Sequence, residues 1–141
     1  MLHKTILTSA SLNEQDAVIP ELLRRIACWM ASENPTGTVS DITLKDQARH
    51  VSWTHLHHAA RMGRVNQAAC DTLTETVFAA MPKPRTGDTR SEYARRIRRE
   101  LAIAHSLQAA ILADEAGAPD YAAGHRAEAA RMRAVLRQAV R

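Results

Sequence analysis

Glycine and proline interrupt this sequence at few places. There are five of each among 141 residues. Eight of the ten fall at four sites: Pro35 with Gly37, Gly63, then Pro82, Pro84 and Gly87, and finally Gly117 with Pro119. The stretches between these breaks are rich in Ala, Leu, Arg, Gln and Glu, the leaders of the helix-propensity ranking. Alanine alone fills 26 positions. A sandwich or barrel needs many turns and many β-branched and aromatic residues. Here the aromatic residues are only Phe78, Tyr93, Tyr121, Trp29 and Trp53. The expected fold is all-α, a compact bundle of about five helices.

Local signals place the helices. Ser11-Leu12-Asn13-Glu14 reads as a capping box, a hydroxyl for the third amide and a carboxylate reaching back. A helix over 11–33 follows, with a kink at Pro20 or a restart that puts Pro20 in a first turn. Leu22, Leu23, Ile26, Trp29 and Met30 recur along it at helical spacing. A second helix runs over 41–62, with Gly63 after its end. A third covers 65–81, with Val65, Ala69, Leu73, Val77 and Ala80 on one face. Residues 82–88 form a basic loop. Thr89-Arg90-Ser91-Glu92 is a second capping box and opens a long helix over 89–116, closed by Gly117 and Pro119. A last helix runs over 119–140. Residues 1–10 are read as an N-terminal arm and 11–141 as a single helical-bundle domain.

No apolar run reaches the roughly 18 residues that a membrane span needs. No apolar core before a small-residue cleavage site marks a secretory signal at the start. Cys28 and Cys70 lie inside helical patterns without metal spacing, and two buried thiols in a reducing cytoplasm are expected.

Charge is uneven. Residues 1–82 hold seven Lys/Arg and eight Asp/Glu, a net of −1; residues 83–141 hold twelve and seven, a net of +5. Sixteen of the nineteen cations are arginine, whose planar fork suits phosphate oxygens. A GC-rich genome also favours Arg and Ala, which accounts for the choice of Arg over Lys better than for the clustering. A basic half suggests a polyanion, most simply nucleic acid.

At about 100° per residue, Tyr93, Ile97, Leu101, Ala104, Leu107 and Ile111 form the inner stripe of the fourth helix. Arg95, Arg96, Arg98 and Arg99 then wrap its outer surface, with Lys83, Arg85 and Arg90 upstream. On the last helix Met132, Val135, Leu136 and Ala139 face inward, while Arg126, Arg133 and Arg137 form a line along one flank. Arg137 and Arg141 also sit where a helix C-terminus favours cations. No aromatic residue interleaves with these arginines, which points to backbone contact without base readout. A solvated cationic face is the plainer reading of the same residues.

Four of the seven histidines fall between His50 and His58. The segment holds no carboxylate and no HExxH motif. On a continuous helix His55 and His58 join the Leu44, Ala48 and Val51 stripe, and His50 and His57 point outward, so no metal site is expected. A helix-turn-helix with its turn at Val51-Ser52 is the alternative. Its recognition helix would offer Thr54, His55, His57 and His58 in place of Arg, Asn or Gln. Trp53 with Leu56 reads either as a protein-contact anchor or as packed under the N-terminal arm. No phosphate loop, nucleophile elbow or carboxylate pair appears, and neither an enzyme nor a cofactor is expected.

A small, all-helical, arginine-rich chain without catalytic motifs resembles the small subunit of class 1 CRISPR effector complexes. The resemblance spans the whole chain in size, helix content and charge, and rests on no motif. It implies a cytoplasmic, non-catalytic bundle that stacks in several copies beside other protein subunits and holds guide RNA or target-strand backbone. Arg95, Arg96, Arg98, Arg99, Arg126, Arg133 and Arg137 are the implied contacts. Phage small terminase subunits, small DNA-binding regulators and protein-only adaptors or inhibitors look nearly as similar.

Overall fold

The structure, a computed structural model, describes residues 18–60 and 65–138, with the side chains of 59, 60 and 136–138 outside the described set. The described residues are all-α: α1 Val18–Ser32, α2 Asp41–Ala60, α3 Gln67–Ala80, α4 Arg90–Glu115 and α5 Pro119–Gln138. Their only β feature is an isolated bridge between Thr38 and Thr89. The capping box at Ser11, the arm 1–10 and Gly63 lie outside the described residues.

Side-chain caps open α2, α3 and α4; α3 starts at Gln67, two residues later than expected, because Asn66 caps it. The Thr43 amide donates to Ser40 Oγ at 3.3 Å. Asn66 Oδ1 accepts the amides of Ala68 and Ala69. At α4 the Glu92 amide donates to Thr89 Oγ1, and that hydroxyl donates to the Glu92 carboxylate. α4 ends in a Schellman turn: Gly117, at φ +75, donates to Asp114 O, and Ala118 donates to Ala113 O. Pro119 then starts α5.

The chain divides into two compact units, the first closing at Ile97 and the second beginning at Arg98, so α4 contributes to both. In the first, α1, α2 and α3 pack on one another, α2 with α3 most extensively. Its core holds Leu22, Leu23, Ile26 and Met30 of α1, Leu44, Ala48 and Val51 of α2, and Cys70 and Val77 of α3. Met81 and the first turns of α4, Tyr93, Ala94 and Ile97, are buried too. In the second unit the Arg126 guanidinium pairs with the Asp114 carboxylate and ties α5 to the end of α4.

A main-chain clasp joins the α1–α2 loop to the start of α4. Arg90 N–H donates to Gly37 O at 2.8 Å, Ser91 N–H to Pro35 O at 2.9 Å, and Val39 N–H to Asp88 O at 3.3 Å. Arg90 Nε adds a bond to Glu33 O at 2.7 Å. The first free amides of α4 are thereby satisfied by carbonyls from another loop.

Several expected faces are rotated. On α3 the buried stripe is Cys70, Thr74 and Val77; Ala69 and Ala80 are exposed and Val65 and Leu73 half-buried. The alanines of α3, Ala68, Ala69, Ala79 and Ala80, all lie exposed at its ends, and Cys70, Thr74 and Val77 between them face the core. On α4, Tyr93 and Ile97 are buried as expected, but beyond them Ile103, Ser106 and Ala110 take over. Ala104 and Ile111 are exposed and Leu101 and Leu107 half-buried. Val135 of α5 is exposed and Met132 half-buried; Leu136 and Ala139 lie outside the described side chains. Trp29 and Cys28 are exposed as well, so only Cys70 is the expected buried thiol.

Candidate nucleic-acid interface

The loop before α4 is built around Asp88, a buried carboxylate. Its Oδ2 accepts the Arg85 amide at 2.8 Å and Arg96 Nη1 at 2.5 Å. Arg96 Nη2 donates to Lys83 O at 2.7 Å, and the same guanidinium lies 5.6 Å from the Tyr93 ring centroid. The Tyr93 hydroxyl donates to Pro82 O at 2.5 Å. Burial pushes the Tyr93 phenol well above its ordinary range, against the opposing pull of the Arg96 charge. The basic loop is therefore a pinned structure, and Arg96 is the pin. Its side chain is only 16% exposed, so it does not share the outer surface that the helical wheel assigns to it.

The other cations sort by what they meet. Arg90 is half-buried and bonded to Glu33 O. Arg126 is paired with Asp114, and Arg131 with Glu128. Arg85 is half-buried, while Lys83 and Arg133 are exposed. The Arg137 side chain lies outside the described set. Arg95, Arg98 and Arg99 are all exposed, and none has an ion-pair partner among the described residues. Their spacing, i, i+3 and i+4, puts the three on one helical face. No carboxylate sits three or four positions from Arg98 or Arg99; Glu92, three before Arg95, is engaged by Thr89. Like charges so placed destabilise a helix by about 0.2–0.5 kcal/mol per pair. A bound polyanion reverses the sign of that term. From Arg95 to Arg99 the helix rises about 6 Å, close to two phosphate steps of one strand along a duplex axis.

α2 is unbroken from Asp41 to Ala60, and Val51 and Ser52 are buried within it. The helix-turn-helix with a turn at those residues is thereby overturned. Of the histidines, His50, His57 and His58 are exposed and His55 is half-buried. His58 thus leaves the inner stripe expected for it. Among the described residues no group of three or more His, Cys, Asp or Glu is placed to hold a metal. Trp53 is 45% exposed with Leu56 half-buried beside it.

No protein-family model matches this chain, and neither a curated protein nor a solved structure matches it. No described helix is long and apolar enough to cross a membrane.

The sequence reading missed Asp88. Its signal was available: an acidic residue in an otherwise cationic loop, one residue before a capping box. It also missed the contact between Trp29 and His50, whose rings lie 5.2 Å apart at 40°. That contact joins two helices and has no local sequence signature.

Proposed function

We propose that this chain is a non-catalytic helical module that binds nucleic-acid backbone through the outer face of α4. One observation carries the reading: Arg95, Arg98 and Arg99 share an exposed face with no carboxylate partner among the described residues, while Arg90, Arg96 and Arg126 are engaged internally. Three forked donors within little more than one helical turn suit phosphate oxygens and carry no base readout. The finer role, a small subunit of a cytoplasmic ribonucleoprotein such as a class 1 CRISPR effector complex, rests on size, helix content and charge alone. There it would lie against guide RNA or target strand, beside other subunits and further copies of itself.

A labelled single-stranded oligonucleotide and a duplex, titrated at low and moderate salt, test the core of the proposal. Binding should weaken steeply with salt as counterions are released. The double reversal R95E/R99E should weaken all sequences alike by tenfold or more, and lower the salt slope by about two. Absence of binding at low salt, or an unchanged slope in the variant, sinks it. A protein-only adaptor is the second reading. It is favoured by exposed apolar side chains on α4 and α5: Ile111, Leu112, Tyr121 and Val135.

A further inference from the structure

His105 lies on α4 beyond Ile97, in the second unit. It follows Arg98 by seven residues, so the two stand about 20° apart around the helix. Along the axis they are about 10 Å apart, close to three phosphate steps of one strand along a duplex. Ala102 comes four residues after Arg98, three after Arg99 and three before His105. All four are exposed. Leu101, half-buried, and Ala102 flank the line from the Arg98 guanidinium to the imidazole. Neither side chain carries a charge or a hydrogen-bonding group, so a backbone that meets Arg98 and runs along α4 meets His105 next.

Among the described residues no side chain engages the ring. The positions three and four residues away are Leu101, Ala102, Gln108 and Ala109, none of them charged. Of the carboxylates of α4 beyond Ile97, Glu100 and Asp114 lie more than about 120° round the helix from His105. Glu115 is nearly three turns on. α5 is tied to α4 in this unit by Arg126, which Asp114 takes up. The other titratable groups with described side chains on α5 are Asp120, Tyr121, His125, Glu128, Arg131 and Arg133. Glu128 and Arg131 hold one another, and no described hydrogen bond or ion pair joins any of these groups to His105.

Imidazole is the side chain that changes charge between about pH 5 and 8. Neutral, it offers a phosphate one N–H; protonated, it offers two and a positive charge. A phosphodiester keeps its negative charge throughout that range, so the change falls on the protein. We infer that His105 extends the arginine face of α4 as a further phosphate contact, engaged when its ring is protonated. This contact rests on the nucleic-acid reading above and adds to it a control by pH. By linkage, a bound strand also holds the proton on the ring. The added affinity is therefore complete in acid and is lost as pH rises past the point where the bound ring deprotonates.

A labelled single-stranded oligonucleotide, titrated at low salt at about pH 5.5 and about pH 8, tests this in the natural chain, His105→Gln and His105→Arg. Between the two pH values the natural chain should gain about two- to fivefold more affinity than His105→Gln, the worth of one exposed ion pair. In acid its salt slope should exceed that of His105→Gln by about 0.7, as one more contact on a single strand requires. His105→Arg should match the natural chain in acid and exceed it at the higher pH, which sets a charge contact apart from misfolding. The His105 ring signals in NMR, identified by their loss in His105→Gln, should titrate at higher pH with the strand bound than without it. Equal pH dependence and equal salt slopes in the natural chain and His105→Gln, with strand binding intact, overturn the contact and leave the arginine reading standing. An equal loss at both pH values in His105→Gln also overturns it, because the ring then acts without its charge. No strand binding at low salt at either pH defeats the arginine reading, and the histidine contact falls with it.

Discussion

Arg95 and Arg96 are neighbours in sequence with different fates. Arg95 is solvated. Arg96 is held against Asp88, the Lys83 carbonyl and the Tyr93 ring. No helical wheel separates them, because the deciding group, Asp88, is eight positions away in another segment. Exposure of Arg95, Arg98 and Arg99 was legible from periodicity; engagement of Arg90, Arg96 and Arg126 was not, since each meets a partner that only tertiary structure supplies. The same cluster makes a prediction about pH. Tyr93 loses its proton less readily when folded than at its ordinary value of 10.0, chiefly because it is buried. A group whose folded pKa is raised contributes stability that is complete below the unfolded pKa and is lost as pH rises past it. Urea midpoints should therefore hold steady near pH ~8 and fall above the ordinary tyrosine value of about 10. Tyr93→Phe should cost about 1 kcal/mol at neutral pH, from the lost hydrogen bond to Pro82 O, and should flatten the alkaline fall. An equally steep fall in the variant would place its source elsewhere.

At the scale of the element, ends were easier to read than faces. The hydroxyl of Thr89, the φ of Gly117 and the stop at Pro82 act within a few residues, so a local window contains their cause. The phase of a helix depends on what it packs against. Alanine on several sides of the later turns of α4 leaves that choice to the neighbours. Two glycines test the local part of this account with opposite signs. Gly117 sits at φ +75, and Gly117→Ala should cost about 1 kcal/mol from the left-handed conformation alone. Gly124 lies inside α5, and an added Cβ there meets nothing within 4 Å. Gly124→Ala should stabilise by about 0.5–1 kcal/mol through helix propensity. Thermal midpoints of the two variants should move in opposite directions. Movement of both in the same direction would mean that tertiary strain outweighs propensity at one of them.

At the scale of the whole molecule, the two units differ in what they bury. The first unit inters Leu22, Ile26, Met30, Leu44, Val77, Tyr93 and Ile97. In the second the buried described side chains are Ile103, Ser106, Ala110, Ala122 and Ala129. Small side chains remove little apolar area from water, and a Leu or Ile contributes about 1.5–3 kcal/mol that an alanine cannot. Hydrogen exchange read by mass spectrometry should find residues 103–130 opening at lower free energy than α1, α2 and α3. Uniform protection across the chain would contradict this ordering. The clasp between the α1–α2 loop and α4 has a consequence in time. Arg90 is 57 positions from Glu33, and closing a loop of that length costs roughly 3–4 kcal/mol of chain entropy. α2 and α3, joined by a short link, can pair before it. On the ribosome the delay is literal: at about 5–20 residues per second, the carbonyls of Glu33, Pro35 and Gly37 are synthesised roughly 3–11 s before Arg90 exists to meet them. Until then water holds those carbonyls, and the nascent α1–α3 cluster waits without the aromatic and aliphatic side chains that α4 brings to its core.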